Sequence, residues 1–288
     1  MQKVIALGFF DGVHLGHGAI LRRTSEFAEK TGAAPAVLTF DRSPCKDGKL
    51  LTSVSDRKGL IRRLYGIEDV IALPFDEALR QTPWDAFLDD LCKTQDAAGF
   101  VCGWDYRFGS GAMGTTDCLQ AYCKERGLGC EIVGRTELDG ITVSSTYLRE
   151  LISQGETERA IDFYGHPHTL TGEVVSGRQI GRQMGVPTAN VFYEDSVLLP
   201  QNGVYAVKTV VDGVRYRGVC NVGSRPTVDG KQVVVEVWLP GQNLDLYGRQ
   251  LRVEFYKKLR DERKFFSLQE LAREIMKNAL QAEAYFSE

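Results

Sequence analysis

No C-x-x-C pair occurs in this chain, and its seven cysteines are scattered and odd in number, Cys118 and Cys123 being the closest two. That usage argues against a zinc site or a disulfide framework and is expected of reduced thiols in a cytoplasmic protein. No apolar stretch reaches the roughly 20 residues of a membrane span. The run from Met1 to Gly8 is too short for a secretory signal, so no membrane partner is expected. Neither sign of charge dominates, with 35 basic residues against 38 acidic. A polyanion-binding surface and a nucleic-acid partner are therefore not expected, although a local phosphate pocket is compatible with this balance. Internal repeats, low-complexity segments and the Walker pattern G-x-x-x-x-G-K-[ST] are also missing.

A chain of 288 residues is long enough for one or two domains, each with its own core. The first half alternates strands (Val4–Leu7, Ala36–Phe40, Val70–Pro74, Gly99–Gly103, Cys130–Val133) with helical stretches (one starting around His14 and His17 with Ile20, Leu21, Phe27 and Ala28 on its apolar side, then Arg57–Tyr65, Trp84–Lys93, Thr115–Arg126). This rhythm predicts a Rossmann-like parallel sheet with helices on both faces. From Thr171 the texture changes to short β-rich runs (Thr171–Val175, Gly203–Val211, Tyr216–Val222, Val233–Leu239, Leu251–Phe255) separated by Gly, Pro, Asn and Asp turns. A small antiparallel barrel is expected, with a tight hairpin at Asp212-Gly213. A closing helix, Leu268–Tyr285, would pack Leu271, Ile275, Leu280 and Tyr285 on it. Gly165-His166-Pro167 interrupts both patterns, which places domains at 1–166 and 167–288.

Residues 8–17, Gly-Phe-Phe-Asp-Gly-Val-His-Leu-Gly-His, carry the first chemical signal. A strand that ends at Gly8, followed by Phe10, Asp11 and Gly12 in a turn and then a helix, presents free N–H groups and a positive helix end to a phosphate. His14 and His17 there can donate hydrogen bonds to charge developing on a phosphoryl group. Two alternatives are a metal pair and two surface histidines. Gly109 to Gly114 formally matches G-x-G-x-x-G, but it follows Asp105-Tyr-Arg-Phe108 and lacks a clear acidic partner, so a dinucleotide-binding dehydrogenase is disfavoured. Ser144, Ser145 and Thr146 precede a helix, where hydroxyls cap N–H groups. Arg149, read in that helix's first turn, opposes the dipole unless an anion binds, which points to a phosphate clamp.

In the second half, Gly177, Gly181 and Gly185 lead through Arg182 to Pro187-Thr188-Ala-Asn190. Glycines spaced by four in a β-rich setting make a loop that can wrap phosphates. Thr188 and Asn190 offer oxygen ligands suited to Mg²⁺ held together with phosphates. A plain Gly/Pro turn is the alternative. Glu236 is the lone carboxylate in Val233-Val-Val-Glu-Val-Trp-Leu239, placed to accept a proton from an alcohol or, alternatively, to face water on an edge strand.

Phe10-Asp-Gly-Val-His-Leu-Gly-His17, Gly103-Trp-Asp-Tyr-Arg-Phe-Gly109, Val143-Ser-Ser-Thr-Tyr-Leu-Arg149, the P-T-A-N string, Asn221 to Thr227, Asp245-Leu-Tyr-Gly248 and Leu259 to Phe265 resemble, in order, the bifunctional bacterial riboflavin kinase/FAD synthetase family. The resemblance covers nearly the whole chain. It implies ATP-dependent phosphorylation of riboflavin to FMN in the second domain and adenylyl transfer from ATP to FMN in the first, giving FAD and pyrophosphate. It further implies that Asp105 and Gly109 line the ATP pocket, that Glu236 is the base for the ribityl hydroxyl, and that Arg260 and Glu262 lie near the flavin. For Arg260 a solvated charge run reads equally well. One departure stands out. Where the family reads Thr-Phe-Asp-Pro-His-Pro, this chain has Thr39-Phe-Asp-Arg42-Ser43-Pro44, so a single working activity, the kinase, is one alternative. A flavin-sensing protein without catalysis is another, against which stand the retained His14, His17 and Glu236.

Overall fold

Val4 to Leu7, and Ala36 to Phe40 apart from Thr39, are apolar runs because each strand is covered on both faces. In the computed structural model, which describes residues 1–43, 49–176, 185–227 and 230–287, the first segments in chain order are β1 (Lys3–Leu7), α1 (Leu15–Thr31), β2 (Ala34–Phe40), α2 (Val54–Tyr65), β3 (Asp69–Leu73), α3 (Glu77–Gln81), α4 (Trp84–Gln95), β4 (Ala97–Gly103), α5 (Thr116–Arg126) and β5 (Gly129–Val133). The five strands form a parallel sheet in the order β3-β2-β1-β4-β5. Ile5 and Leu7 pack toward Phe87, Leu88 and Leu119 of α4 and α5. On the other face, Ala6 and Val4 meet Leu21 and Ala28 of α1 and Leu60 of α2. The order reverses direction between β1 and β4, and the crevice beyond the carboxyl ends of those two strands is where open α/β sheets bind ligands.

A two-stranded hairpin follows, β6 (Glu137–Leu138) and β7 (Ile141–Thr142), turning on Asp139-Gly140. Next come α6 (Ser145–Gln154), α7 (Thr157–Tyr164), β8 (His168–Val175), β9 (Thr188–Tyr193), β10 (Gly203–Val211), β11 (Val214–Thr227), β12 (Gly230–Trp238), β13 (Gln250–Arg260) and α8 (Leu268–Tyr285). The six strands β8 to β13 close a barrel in the order β10-β11-β12-β9-β8-β13. Its interior is filled by Leu170, Val191, Val207, Cys220, Val235 and Val253. Asp212 (φ 50°) and Gly213 (φ 82°) form the two-residue turn between β10 and β11, both in the left-handed region that a tight hairpin requires.

The chain divides into two units, Met1–Leu50 with Val54–Ser145, and Leu51–Ser53 with Thr146–Glu288. α7 goes with the barrel: the Thr157 hydroxyl donates to the carbonyl of Tyr256 on β13 (3.0 Å). Helix α8 has the expected bounds and packs Tyr285 on the barrel as expected, but Leu280 departs from the expected face. Leu280 is exposed, and Ala279, Ala282, Tyr285 and the following Phe286 meet Val204, Ala206 and Val219. The small alanines let the helix approach the strands closely, and that rotation turns Leu280 outward.

Candidate active sites

The turn from β1 into α1 is held in a strained shape. Phe10 (φ 54°), Gly12 (φ 85°) and Val13 (φ 44°) all have positive φ, and for Phe and Val this costs of the order of 1–3 kcal/mol each. Burial of Phe10 and Val13 with no exposed surface helps keep them there. The strain has a geometric result: His14 becomes the N-cap of α1 and His17 closes its first turn. The main-chain N–H of His17 donates to His14 Nδ1 (3.2 Å). Since Nδ1 accepts, the neutral His14 ring carries its proton on Nε2, which is thereby a donor. The two imidazoles stack with centroids 3.5 Å apart, and the Phe10 ring meets His17 edge-on at 5.2 Å. Gly8 ends the strand beside that Phe10 ring.

His17 is half-buried overall, but its Nδ1 is fully covered and has no hydrogen-bond partner among the described residues. Burial, the neighbouring His14 and the Arg57 cation together hold the His17 ring well below the usual histidine range, so it is neutral at pH 7. A Cβ on Gly16 would lie 3.2 Å from the His14 ring and 3.4 Å from the carbonyl of Val143. The space at Gly16 is thus filled by the imidazole itself.

Asp11, 1 % exposed, faces Arg57 at 3.8 Å, and its carbonyl accepts the Ser145 hydroxyl (2.9 Å). Sequence reasoning missed Arg57, because it sits among Lys58, Arg62 and Arg63 in a helix that reads as an ordinary basic surface. Helix α6 begins at Ser145, so Ser144 directly precedes it while Thr146 and Arg149, which belong to the second unit, follow on it. Arg149 is the fifth helical residue and lies in the second turn. The dipole argument applied to a first-turn cation does not hold there, since that effect fades within one turn.

The other nucleotide candidates of this unit follow β4. Asp105 is exposed just past the carboxyl end of β4. The glycine-rich segment is closed by a bridge between Phe108 and Gly114, with N–H to carbonyl distances of 3.1 and 2.9 Å. It therefore does not lead from a strand into a helix as a dinucleotide loop does. Gly109 instead lines a cavity of 380 Å³ walled by Phe40, Phe75, Phe87, Tyr106 and Phe108, with Arg80 and Arg107 at its edge. Arg42 is engaged by its neighbour Asp41 at 3.3 Å. Asp41 also accepts the Phe75 N–H (2.8 Å), and that bond first and Arg42 second hold its carboxyl below the ordinary range.

In the barrel, register does what sequence spacing cannot. Asn190 on β9 lies directly opposite Glu236 on β12, and Glu236 lies directly opposite Asn221 on β11. Facing residues of antiparallel strands have Cβ atoms about 4.5–5.5 Å apart. Residues 15 to 46 positions apart in sequence thus form one row, Asn190–Glu236–Asn221. Val235 and Val237 point into the core, which puts Glu236 on the outer face, half-buried. Thr188 stands two residues from Asn190 and lines a cavity of 310 Å³ with Ala189, Val237, Leu244, Leu246 and Tyr247. Strand β9 itself was not expected; the sequence reading ended its loop on Asn190. Gly177 and Gly181, with Arg182, lie outside the described residues.

Glu262 reaches back toward the same row. Its carboxylate sits where a Cβ on Gly223 would be, beside the Asn221 amide, and accepts from Asn202 Nδ2 (3.1 Å). Arg260 is otherwise employed: its Nε donates to Asn278 Oδ1 (3.1 Å) and lies 3.6 Å from Glu274, both on α8. Among the described residues no three His, Cys, Asp or Glu side chains gather to hold a metal. None of the described helices is long and apolar enough to cross a membrane.

Comparison with known proteins agrees with this two-part layout. The FAD synthetase family model matches residues 1–147 and the riboflavin kinase model residues 164–286. The bifunctional riboflavin kinase/FMN adenylyltransferase of Bacillus subtilis is 35 % identical over 99 % of this chain and 93 % of its own length. Its Escherichia coli K12 counterpart is 34 % identical over 98 % and 92 %. A crystal structure described as a macrolide-efflux protein from Streptococcus pneumoniae superposes with a TM-score of 0.86 at 29 % identity, covering 97 % of this chain and 93 % of that one. Full-length relatives at this identity, with both family models in the same order, settle the assignment: the chain belongs to the family of bifunctional riboflavin kinase/FMN adenylyltransferases.

Proposed function

We propose that the second unit transfers the γ-phosphoryl group of ATP to the ribityl hydroxyl of riboflavin, and that the first transfers AMP from a second ATP to the resulting FMN, releasing pyrophosphate. The observation that carries this reading is the chemical asymmetry of the two sites. In the barrel, a half-buried carboxylate stands between two asparagines. At the β1–α1 turn, the nearest carboxylate, Asp11, faces a buried arginine. An alcohol nucleophile needs a base, and Glu236 is placed to take its proton. The phosphate of FMN is already ionised and needs none, so positioning and charge stabilisation suffice.

At the first site the helix N-terminus and His14 Nε2–H act on the α-phosphate of ATP as charge builds in the transition state, with Ser144 next to them, while the Ser145 hydroxyl donates to the Asp11 carbonyl and steadies the turn. Neutral His17 keeps one ring N–H for the same purpose. The aromatic cavity suits the flat isoalloxazine ring, with Arg80 and Arg107 at its rim for the FMN phosphate. In the barrel, Thr188 and Asn190 offer hard oxygen donors, the kind Mg²⁺ takes together with nucleotide phosphates. When bound, that ion neutralises charge on the transferred group. Asn190 and Asn221 flank Glu236, with Glu262 beyond Asn221, where the ribityl chain would lie.

The test is incubation of the purified chain with riboflavin, ATP and Mg²⁺, followed by chromatography. FMN should appear first and FAD after it. FMN without FAD, even from added FMN and excess ATP, would leave a kinase alone, the outcome that Ser43 in place of the family histidine would produce.

A further inference from the structure

We propose that Arg57 is a positioning residue of the adenylyl-transfer site, holding the Phe9–Asp11 turn in the shape that presents His14 and His17; this rests on the reading of the first unit given above. An arginine with no exposed surface is rare. Its contacts converge on one place. Nη1 donates to Thr39 Oγ1 (2.9 Å) and to the Phe40 carbonyl (2.8 Å) at the end of β2. Nη2 faces Asp11 Oδ1 at 3.8 Å, and the guanidinium lies 4.4 Å from the centre of the Phe9 ring. Thr39 relays the grip, donating its hydroxyl to the Phe9 carbonyl (2.6 Å). The residues so held, Phe9 and Asp11, bracket Phe10, the first of the positive-φ residues.

A planar fork can address a hydroxyl, a carbonyl, a carboxylate and an aromatic face in four directions at once, which a lysine ammonium cannot. Arg57 also brings a full positive charge close to His17. The charged and titratable groups around that imidazole are His14 at the helix cap, Arg57 from α2, and Asp11 of the turn, which faces Arg57. With Arg57 in place, protonated His17 is disfavoured and the ring remains neutral. The one residue thus holds the seat of the imidazole pair and adds to the burial and the neighbouring His14 that keep His17 neutral.

The test uses the full chain with Arg57→Met and Arg57→Lys, assayed separately for FMN from riboflavin and FAD from supplied FMN. The imidazole C–H signals are titrated by NMR; with four histidines in the chain, His17 is assigned by its loss in His17→Ala. For Arg57→Met, kcat for FAD should fall at least about tenfold with the KM for ATP changed by less than about threefold. FMN synthesis should be unchanged, and the His17 titration should move up, while burial and His14 still hold it below the ordinary histidine range. A kcat near wild type, or a His17 titration that stays put, overturns the proposal and leaves Arg57 a packing residue. For Arg57→Lys, the charge remains and the fork is lost, so His17 should titrate low while kcat stays several-fold down. Should Arg57→Met fail to fold its domain, this second variant decides, a wild-type kcat overturning the proposal. If the unaltered protein makes no FAD, the reading of the first unit fails. The rise of the His17 titration in Arg57→Met would still report the coupling independently.

Discussion

Mild acid should weaken the barrel through one residue, His168, and the size of the effect follows from its surroundings. The ring is 1 % exposed at the start of β8. Its Nε2 donates to the Leu198 carbonyl (3.0 Å), and its Nδ1 faces the Tyr164 hydroxyl (3.3 Å), which donates to it. One neutral tautomer satisfies both contacts. Burial first, with nearby His166 adding to it, pushes the pKa down from 6.5 to about 4 despite the bond to Leu198. In the unfolded chain His168 takes up a proton below pH 6.5 while the folded protein does not, so stability falls as pH drops through this window. At about 1.4 kcal/mol per pH unit, the loss approaches 3 kcal/mol by pH 4 and levels off below, where the folded state protonates too. The assay is urea unfolding from pH 7.5 to 4 in a Trp84→Phe/Trp104→Phe background, where Trp238 alone reports on the barrel. His168→Gln should start less stable but lack this part of the slope. Equal slopes with and without His168 would refute the reasoning.

Two further outcomes follow from close approaches. Gly16→Ala places a methyl group 3.2 Å from the His14 ring. FAD turnover should fall about tenfold, FMN synthesis should be unaffected, and α1 should not weaken, since alanine is the better helix former; steady-state kinetics and CD read the three. Gly223→Ala must displace the Glu262 carboxylate, the movable end of a flexible side chain. The KM for riboflavin should rise severalfold with no more than about 1 kcal/mol lost from the barrel, as measured by initial rates and thermal melts.

Much of this architecture was legible in the sequence, and the parts that were not share a cause. The β1–turn–α1 unit, the alternation that follows it and the Asp212-Gly213 hairpin are local patterns, written within a few turns of chain. The Asp139-Gly140 hairpin carried the same signal and was overlooked because its strands are two residues each. Strand β9 is short and begins among glycine and proline, so Thr188 and Asn190 looked like the end of a loop. The row Asn190–Glu236–Asn221 is a matter of cross-strand register, which no single segment encodes. Arg57 was hidden because a buried and a solvated arginine look alike in an amphipathic helix. Leu280 faces outward because Ala279 and Ala282, together with Tyr285, set the rotation of α8.

The independence of the two chemistries is the claim most open to a direct check, through His17→Ala and Glu236→Gln assayed side by side for both products. His17→Ala should abolish FAD formation from supplied FMN while FMN formation stays within about threefold of wild type. Glu236→Gln keeps the shape of the side chain and removes the proton acceptor, so FMN synthesis should fall by about 10² to 10⁴. FAD synthesis from supplied FMN should persist in that variant. If either substitution lowered both activities equally, or Glu236→Gln left kinase turnover within about threefold of wild type, two separate sites with a carboxylate base in only one of them would be the wrong description.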